Sequence, residues 1–99
     1  MRLPVYLRAE AEADLEDAAG WYERQRSGLG GEFLSEVERT LDLIQSNPEA
    51  FSAVYRGTRR SLVRRFPFGV HYRIIQDRIL VFAVMHVSRN PERWKGRGA

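Results

Sequence analysis

The sequence predicts an α+β fold in the order β-α-α-β-β-β, with an N-terminal helical hairpin packed on one face of a sheet. Three observations predict it. The apolar pattern leaves a period of two for a helical period of about 3.6 near Ala9, and returns to strand-like runs beyond Pro48. Glycines 28, 30 and 31 divide the helical region into two pieces. The run Ile79 to His86 (ILVFAVMH) is apolar on both faces, as expected of a strand covered on both sides.

Leu3, Val5 and Leu7 alternate with Pro4, Tyr6 and Arg8, which reads as a short first strand. Pro4 near its start suits an edge position, where a missing donor is tolerated. Over Ala9 to Gln25, Ala11, Leu15, Ala18 and Tyr22 fall on one helical face. Glu10, Glu12, Asp14 and Asp17 read as a solvated face of the same helix. The segment Arg26 to Gly31 reads as a break, and a second helix follows with a stripe of Leu34, Val37, Leu41 and Ile44. It stops at Asn47-Pro48, because proline pushes its predecessor out of the α region.

Arg59 to Phe66 and Val70 to Ile75 read as strands, separated by Pro67 and Gly69, and Gln76-Asp77-Arg78 is a turn before the last strand. Alternation sends Val70, Tyr72 and Ile74 to one side and His71, Arg73 and Ile75 to the other. Arg60 and Arg64 are expected on one face of their strand, with Arg59 and Arg65 on the other. The helices cover one face of the sheet, which leaves the other more open. Trp21, Tyr22, Phe33, Phe51 and Phe66 are expected in the core. Trp94 is expected to be more open, either packing the tail down or forming part of a target or antitoxin surface, and the tail from Ser88 to Ala99 is expected to end in frayed residues.

A chain of 99 residues with 43% hydrophobic content suffices for one domain over residues 1–99 and one core. The absence of cysteine excludes a disulfide scaffold, a thiolate metal site and a cysteine nucleophile. Two histidines argue against a zinc site, so no metal or cofactor is expected. The start MRLPVYLRAEAEADL lacks the apolar core of a signal peptide, and no apolar run approaches the roughly 18 residues of a membrane span. The expected location is the cytoplasm, with no membrane partner.

Charge divides sharply along the chain. Residues 1–50 hold five arginines against eleven carboxylates, a net of −6, whereas residues 51–99 hold ten arginines and Lys95 against Asp77 and Glu92, a net of +9. Two accounts fit. The basic half meets an anionic partner, either nucleic acid or an acidic protein segment, or the acidic helices simply neutralise a basic sheet within the fold.

The segments WYERQRSGLGGEFLSEV (21–37), NPEAF (47–51), RRSLVRRFPFGVHYRI (59–74) and VMHVSRNPERW (84–94), in this order, resemble the RelE/ParE toxin superfamily, in its ParE-like, "plasmid stabilisation protein" branch. The resemblance covers nearly the whole chain. It implies a four-stranded, largely antiparallel sheet backed by the hairpin. It also implies a bacterial type II toxin–antitoxin operon with a cognate acidic antitoxin wrapped on the toxin. The ParE-like branch implies inhibition of DNA gyrase without catalytic residues; RelE-like relatives cleave messenger RNA on the ribosome. A degenerate, non-toxic module that only binds antitoxin is a further reading.

Messenger RNA cleavage needs a proton acceptor for the 2′-hydroxyl, a group to stabilise the pentavalent phosphate, and a donor to the leaving oxygen. Arginine suits phosphate through bidentate contacts but is a poor base. His71, His86, Tyr72 and Glu92 are the proton-transfer candidates of the basic half, and Lys95 is the chain's one lysine. RNA-cleaving relatives combine lysine, arginine and tyrosine, or glutamate, arginine and histidine, on the open face. Here only a partial set of Arg65, His86 and Arg89, with Tyr72, can be assembled. His86 has two readings: a cap on the core, or a partner of Arg89 where the last strand emerges. Arg59, Arg60, Arg64, Arg73 and Trp94 are the candidates for target or antitoxin contact.

Overall fold

The computed structural model describes residues 2–98. Strand β1 (Val5–Leu7) leads into helices α1 (Ala9–Gln25) and α2 (Leu29–Ser46). Strands β2 (Ala53–Tyr55), β3 (Thr58–Leu62), β4 (Phe68–Ile75) and β5 (Arg78–His86) follow. A short helix α3 (Glu92–Lys95) and a 3-10 turn (Gly96–Gly98) close the described chain. The sheet has five strands in the order β1-β5-β4-β3-β2, one more than the sequence predicts. Only β1 pairs in parallel, against β5; the other pairings are antiparallel.

The added strand is β2. Three residues carry no readable alternation, and Ala53 and Val54 are both exposed. What makes it a strand is the turn after it, where Arg56 (φ 41) and Gly57 (φ 79) both have positive φ. That is the requirement of the two-residue hairpin whose twist matches its strands.

The interhelical break is shorter than expected, because α2 already begins at Leu29 and takes in Gly30 and Gly31. Glu23 of α1 makes the early start feasible: its carboxylate accepts from the Gly28 and Gly30 amides (2.9 and 3.0 Å), two donors that the start of a helix leaves open. Gly30 also lets the helices meet, since a Cβ there would lie 2.6 Å from the Ala19 carbonyl oxygen. At its other end α2 stops before Pro48 as predicted, with Asn47 N–H donating to Leu43 O.

The main core lies between the hairpin and the sheet. Ala11, Ala18, Phe33, Val37 and Ile44 meet Val70, Tyr72, Ile79, Val81 and Val84 there. Each large apolar side chain so buried contributes about 1.5–3 kcal/mol. The predicted α2 stripe is rotated in the structure. Leu34 is 38% exposed, and Phe33 and Thr40 take the inward positions beside Val37 and Ile44. Tyr22, Phe33, Phe66 and Phe68 form one aromatic cluster with ring centroids 4.9 to 6.0 Å apart. Trp21 extends it outward, edge-on to Tyr22 at 5.1 Å and 52% exposed, contrary to the expectation of a core residue.

The second face of the sheet is covered as well, by the C-terminal segment that the sequence leaves polar and fraying. Trp94 is buried against Phe82, Ala83 and Met85, with Tyr55 packed beside them. A bulge at Phe82 in the β4–β5 ladder, where His71 pairs with Ala83 and Tyr72 with Val81, puts both Phe82 and Ala83 on this side. Asp14 is not a solvated helix residue either: at 15% side-chain exposure it pairs with Arg97 of the 3-10 turn (2.6 Å). The expectation for Ala99 falls outside the described residues. No helix among the described residues is long and apolar enough to cross a membrane.

Candidate functional site

A concave surface follows from the mismatch between β1 and β5. Strand β1 pairs only with Ile79 to Val81 and then gives way to α1, so β5 continues to His86 without a strand on that side. Asp14 replaces part of the missing ladder by accepting from Val84 N–H (3.0 Å), and Arg97 donates to Phe82 O (3.3 Å). A groove of about 1060 Å³ remains between α1 and the end of β5. Val84, Met85, Pro67 and Phe68 lie at its base.

Its two walls carry opposite charge. Helix α1 supplies Glu10, Glu16 and Asp17 together with the exposed indole of Trp21, and the segment after β5 supplies Arg89, Arg93 and Arg97. Arg97 is tied to Asp14, whereas Arg89 and Arg93 form no ion pair among the described residues. His86 sits at the end of β5 in the same wall, its ring edge-on to Phe68 at 5.4 Å. Ser88 N–H donates to His86 Nδ1 (3.1 Å), which places the proton of the neutral ring on Nε2. Neither sequence reading of His86 describes this fully: it is half-buried, but its ring nitrogen is held by the turn that follows rather than by a core carbonyl.

The other candidates do not converge on this groove. Tyr72 is fully buried on the helix side, where its hydroxyl donates to Pro48 O (2.6 Å), and burial pushes its pKa above the ordinary value. A phenol so placed anchors the end of α2 to the sheet and does not face an open surface. Arg65 lies beyond the end of β3 in the left-handed region (φ 73), so the alternation expected through Phe66 stops at Leu62 and the pairing of Arg64 with Arg60 and of Arg65 with Arg59 does not arise. Glu32 (3.0 Å) and Glu36 (3.7 Å) hold its guanidinium on α2, and the Glu32 carboxyl is kept below its usual range by Arg65 and Arg26.

The predicted contact residues also separate. Arg59 pairs with Tyr72 on the helix-facing side and donates to Glu49 O (3.1 Å) and Phe51 O (2.7 Å), clamping the loop after α2. Arg60 pairs with His71 on the second face and lays its stem across Gly69, leaving 2.8 Å to a Cβ there. Arg73, half-buried, shares that face, its guanidinium reaching the Gly57 turn, and Arg64 is exposed. Trp94 is 6% exposed, a correction to its expected openness, and it packs the tail down as one of its two readings had it; Glu92 and Lys95 pair with each other on α3 (3.9 Å). His71 is 2% exposed beneath Trp94. Among the described residues, no group of three or more potential ligands stands close enough to hold a metal ion.

Asp14, Trp21, Arg93 and Arg97 are the groove residues that sequence reasoning missed. Asp14 sat in a run of acidic residues with nothing to mark it out, and the two arginines lay in a tail read as frayed.

Comparison with known proteins agrees with this architecture. The family described as the ParE toxin of the type II toxin–antitoxin system, parDE, matches residues 5–91. No curated protein sequence gives a match. A chain of the chromosomal ParDE toxin–antitoxin system from P. aeruginosa is similar in structure, with a TM-score of 0.76 and 17% identity, covering 86% of this chain and 96% of that one. A chain of the RelBE2 toxin–antitoxin complex from Mycobacterium tuberculosis is similar with a TM-score of 0.64 and 19% identity, over 87% of this chain and 99% of that one. At these identities the structural likeness is one of fold.

Proposed function

The chain belongs to the ParE toxin family of type II toxin–antitoxin systems, and on that premise we propose that it inhibits DNA gyrase by binding and is neutralised by a cognate antitoxin docked in the groove beside β5. The observation that carries the reading is the dispersal of the candidate catalytic groups. Tyr72 is turned into the core, His71 lies beneath Trp94, and Arg65 is bound to two carboxylates of α2. A proton-transfer site needs its groups within hydrogen-bond reach of one reacting centre. A binding inhibitor needs only a surface of the right charge, and the exposed Arg64 with the half-buried Arg60 and Arg73 are read as supplying it for the target.

The antitoxin site is read from the groove. An amphipathic acidic segment would set apolar side chains on Val84, Met85 and Phe68, and carboxylates on Arg89 and Arg93. The open side of β5 supports an extended segment equally well. Arg59 and Trp94, engaged inside the fold, drop out as contacts in this proposal.

Purified protein is expected to block supercoiling of relaxed plasmid by gyrase, and normal supercoiling with a molar excess of folded protein would refute the proposal. One observation favours messenger RNA cleavage on the ribosome as a second reading: His86 and Arg89 stand together in the groove wall. On that reading His86→Ala abolishes cleavage of ribosome-bound transcripts, while gyrase is untouched by the wild-type chain.

A further inference from the structure

The second face of the sheet carries a buried histidine that the proposed function does not use. His71 is 2% exposed, and neither ring nitrogen makes a hydrogen bond of good geometry, although the Ala83 and Gly69 carbonyls lie near enough to favour its charged form. An unsatisfied imidazole in a core is costly to retain, so what surrounds it matters. The Trp94 indole stacks on it, with centroids 4.4 Å apart and planes at 29°. The Phe82 ring lies 6.4 Å away.

The cover over this ring is slight. It is the C-terminal segment, α3 and the 3-10 turn, which follows an exposed connector, Ser88 to Pro91, with the Arg60 stem from β3 beside it. The segment holds on at a few points. Trp94 sits over His71 with its edge toward Tyr55 (6.1 Å), and Arg97 pairs with Asp14 (2.6 Å). Arg8 also donates to Arg97 O (2.7 Å). Strands β3, β4 and β5 are paired to one another independently of it.

The charges facing His71 all oppose a second positive charge. Arg60 approaches from β3 and Arg97 from the 3-10 turn. Strand β5 places only uncharged Phe82 and Ala83 against the ring, and α3 places Trp94 there, with Lys95 directed to the Tyr55 ring at 4.6 Å and Glu92 paired to Lys95. Among the described residues no carboxylate contributes at the ring; the nearby Gly69 and Ala83 carbonyls are its only anionic-leaning neighbours.

We propose that residues 92–98 form an acid-released strap: protonation of His71 unstacks Trp94 and lifts the segment from the sheet, uncovering Phe82, Ala83 and Met85 and withdrawing Arg93 and Arg97 from the groove wall. Protons favour whichever state binds them more tightly. With the strap closed, burial and then Arg60 lower the His71 pKa to about 4; with it lifted, the ring meets water and regains its ordinary 6.5. Because the closed-state value is the depressed one, closure is fully favoured above pH 6.5 and is lost as pH falls from there toward 4. Linkage over this window makes opening about 20-fold more frequent at pH 5 than at pH 7.

Hydrogen exchange of the full chain, corrected for intrinsic rates, reads this directly. At pH 5 the amides of Trp94 and Lys95 should lose about 20-fold of the protection they have at pH 7, while the β4–β5 ladder keeps its own. His71→Phe, which preserves a stackable ring but cannot take a proton, should abolish the difference. Equal strap protection at the two pH values, loosening of the ladder together with the strap, or the same pH response in His71→Phe would each overturn the proposal. Should His71→Phe fail to fold, the ring titration of the wild-type chain by NMR decides. A midpoint well below 6.5 that coincides with strap opening supports the device, and a midpoint at 6.5 with the strap still protected overturns it.

Discussion

Tyr72 offers the sharpest test of how this chain uses its polar groups, because the sequence and the structure assign it different work. Its ring is fully buried, and its hydroxyl donates to the Pro48 carbonyl oxygen at 2.6 Å, fastening the segment after α2 to the middle of the sheet. Tyr72→Phe keeps the ring and removes the one donor, leaving the Pro48 carbonyl without this partner. A hydrogen bond of this kind contributes about 0.5–1.5 kcal/mol net. For a domain of this size, 1 kcal/mol corresponds to a fall in Tm of roughly 4–8 °C. Tyr72→Ala removes the ring too and should cost about 3–5 kcal/mol, a large part of the roughly 5–15 kcal/mol that holds a small domain together.

Urea unfolding followed by circular dichroism measures both variants, with the midpoint expected to fall at an unchanged slope. On the proposed reading, Tyr72→Phe below its melting range should inhibit gyrase as well as the unaltered chain does, since the hydroxyl bonds the Pro48 carbonyl and not the solvent. The reasoning is refuted if Tyr72→Phe is as stable as wild type, or if it loses activity by more than about tenfold with its stability intact. The second outcome would make the hydroxyl a functional group.

Two further predictions concern the hairpin and the strap. Gly30→Ala should destabilise by about 1–3 kcal/mol, because the new methyl would meet the Ala19 carbonyl at 2.6 Å and backbone cannot swing aside. Gly31→Ala, with nothing within 4 Å of its Cβ, should be neutral or stabilise by up to about 1 kcal/mol, so equal effects of the two in thermal melts would contradict the close approach of α1 and α2 at Gly30. A double-mutant cycle on Asp14→Ala and Arg97→Ala should return a coupling of about 1–3 kcal/mol, above the 0.2–1 kcal/mol typical of exposed pairs, because the two side chains are only 15% and 25% exposed. A coupling indistinguishable from zero in urea titrations would show that the pair does not hold the strap.

The single substitutions in that cycle carry separate information. Asp14→Ala also removes the acceptor of the Val84 amide (3.0 Å), so it should be the more damaging of the two. Arg97→Ala removes in turn a longer bond to Phe82 O (3.3 Å), so the difference between the singles compares the two side-chain bonds on the unpaired side of β5.

Periodicity and turn chemistry were sufficient for the hairpin and the two long strands, and the resemblance of four segments was sufficient for the family. Ala11 and Ala18 face the core as the helical spacing requires, Pro48 ends α2, and the two-sided apolar run of β5 is central between β1 and β4. These features are local: they depend on residues within a turn or a strand of one another, where sequence and geometry are tightly coupled.

What the sequence could not determine was long-range. Strand β2 exists because a two-residue turn returns it to β3, and Asp14 is buried because β1 ends three pairs along β5. The arginines read as one basic strand are split by the end of β3 at Leu62, and each then finds a different role: Arg59 on loop carbonyls, Arg65 on α2 carboxylates, Arg60 beside His71. The tail looked polar because every residue from Glu92 to Arg97 except Trp94 is charged or glycine, yet that one indole and one guanidinium dock it on the sheet. Local periodicity therefore determined the helical hairpin and the two long strands, and the segment resemblance the family. Only the tertiary structure decided which charged and aromatic side chains remain available to a partner, because that depends on contacts between residues as far apart as Asp14 and Arg97, which no local pattern encodes.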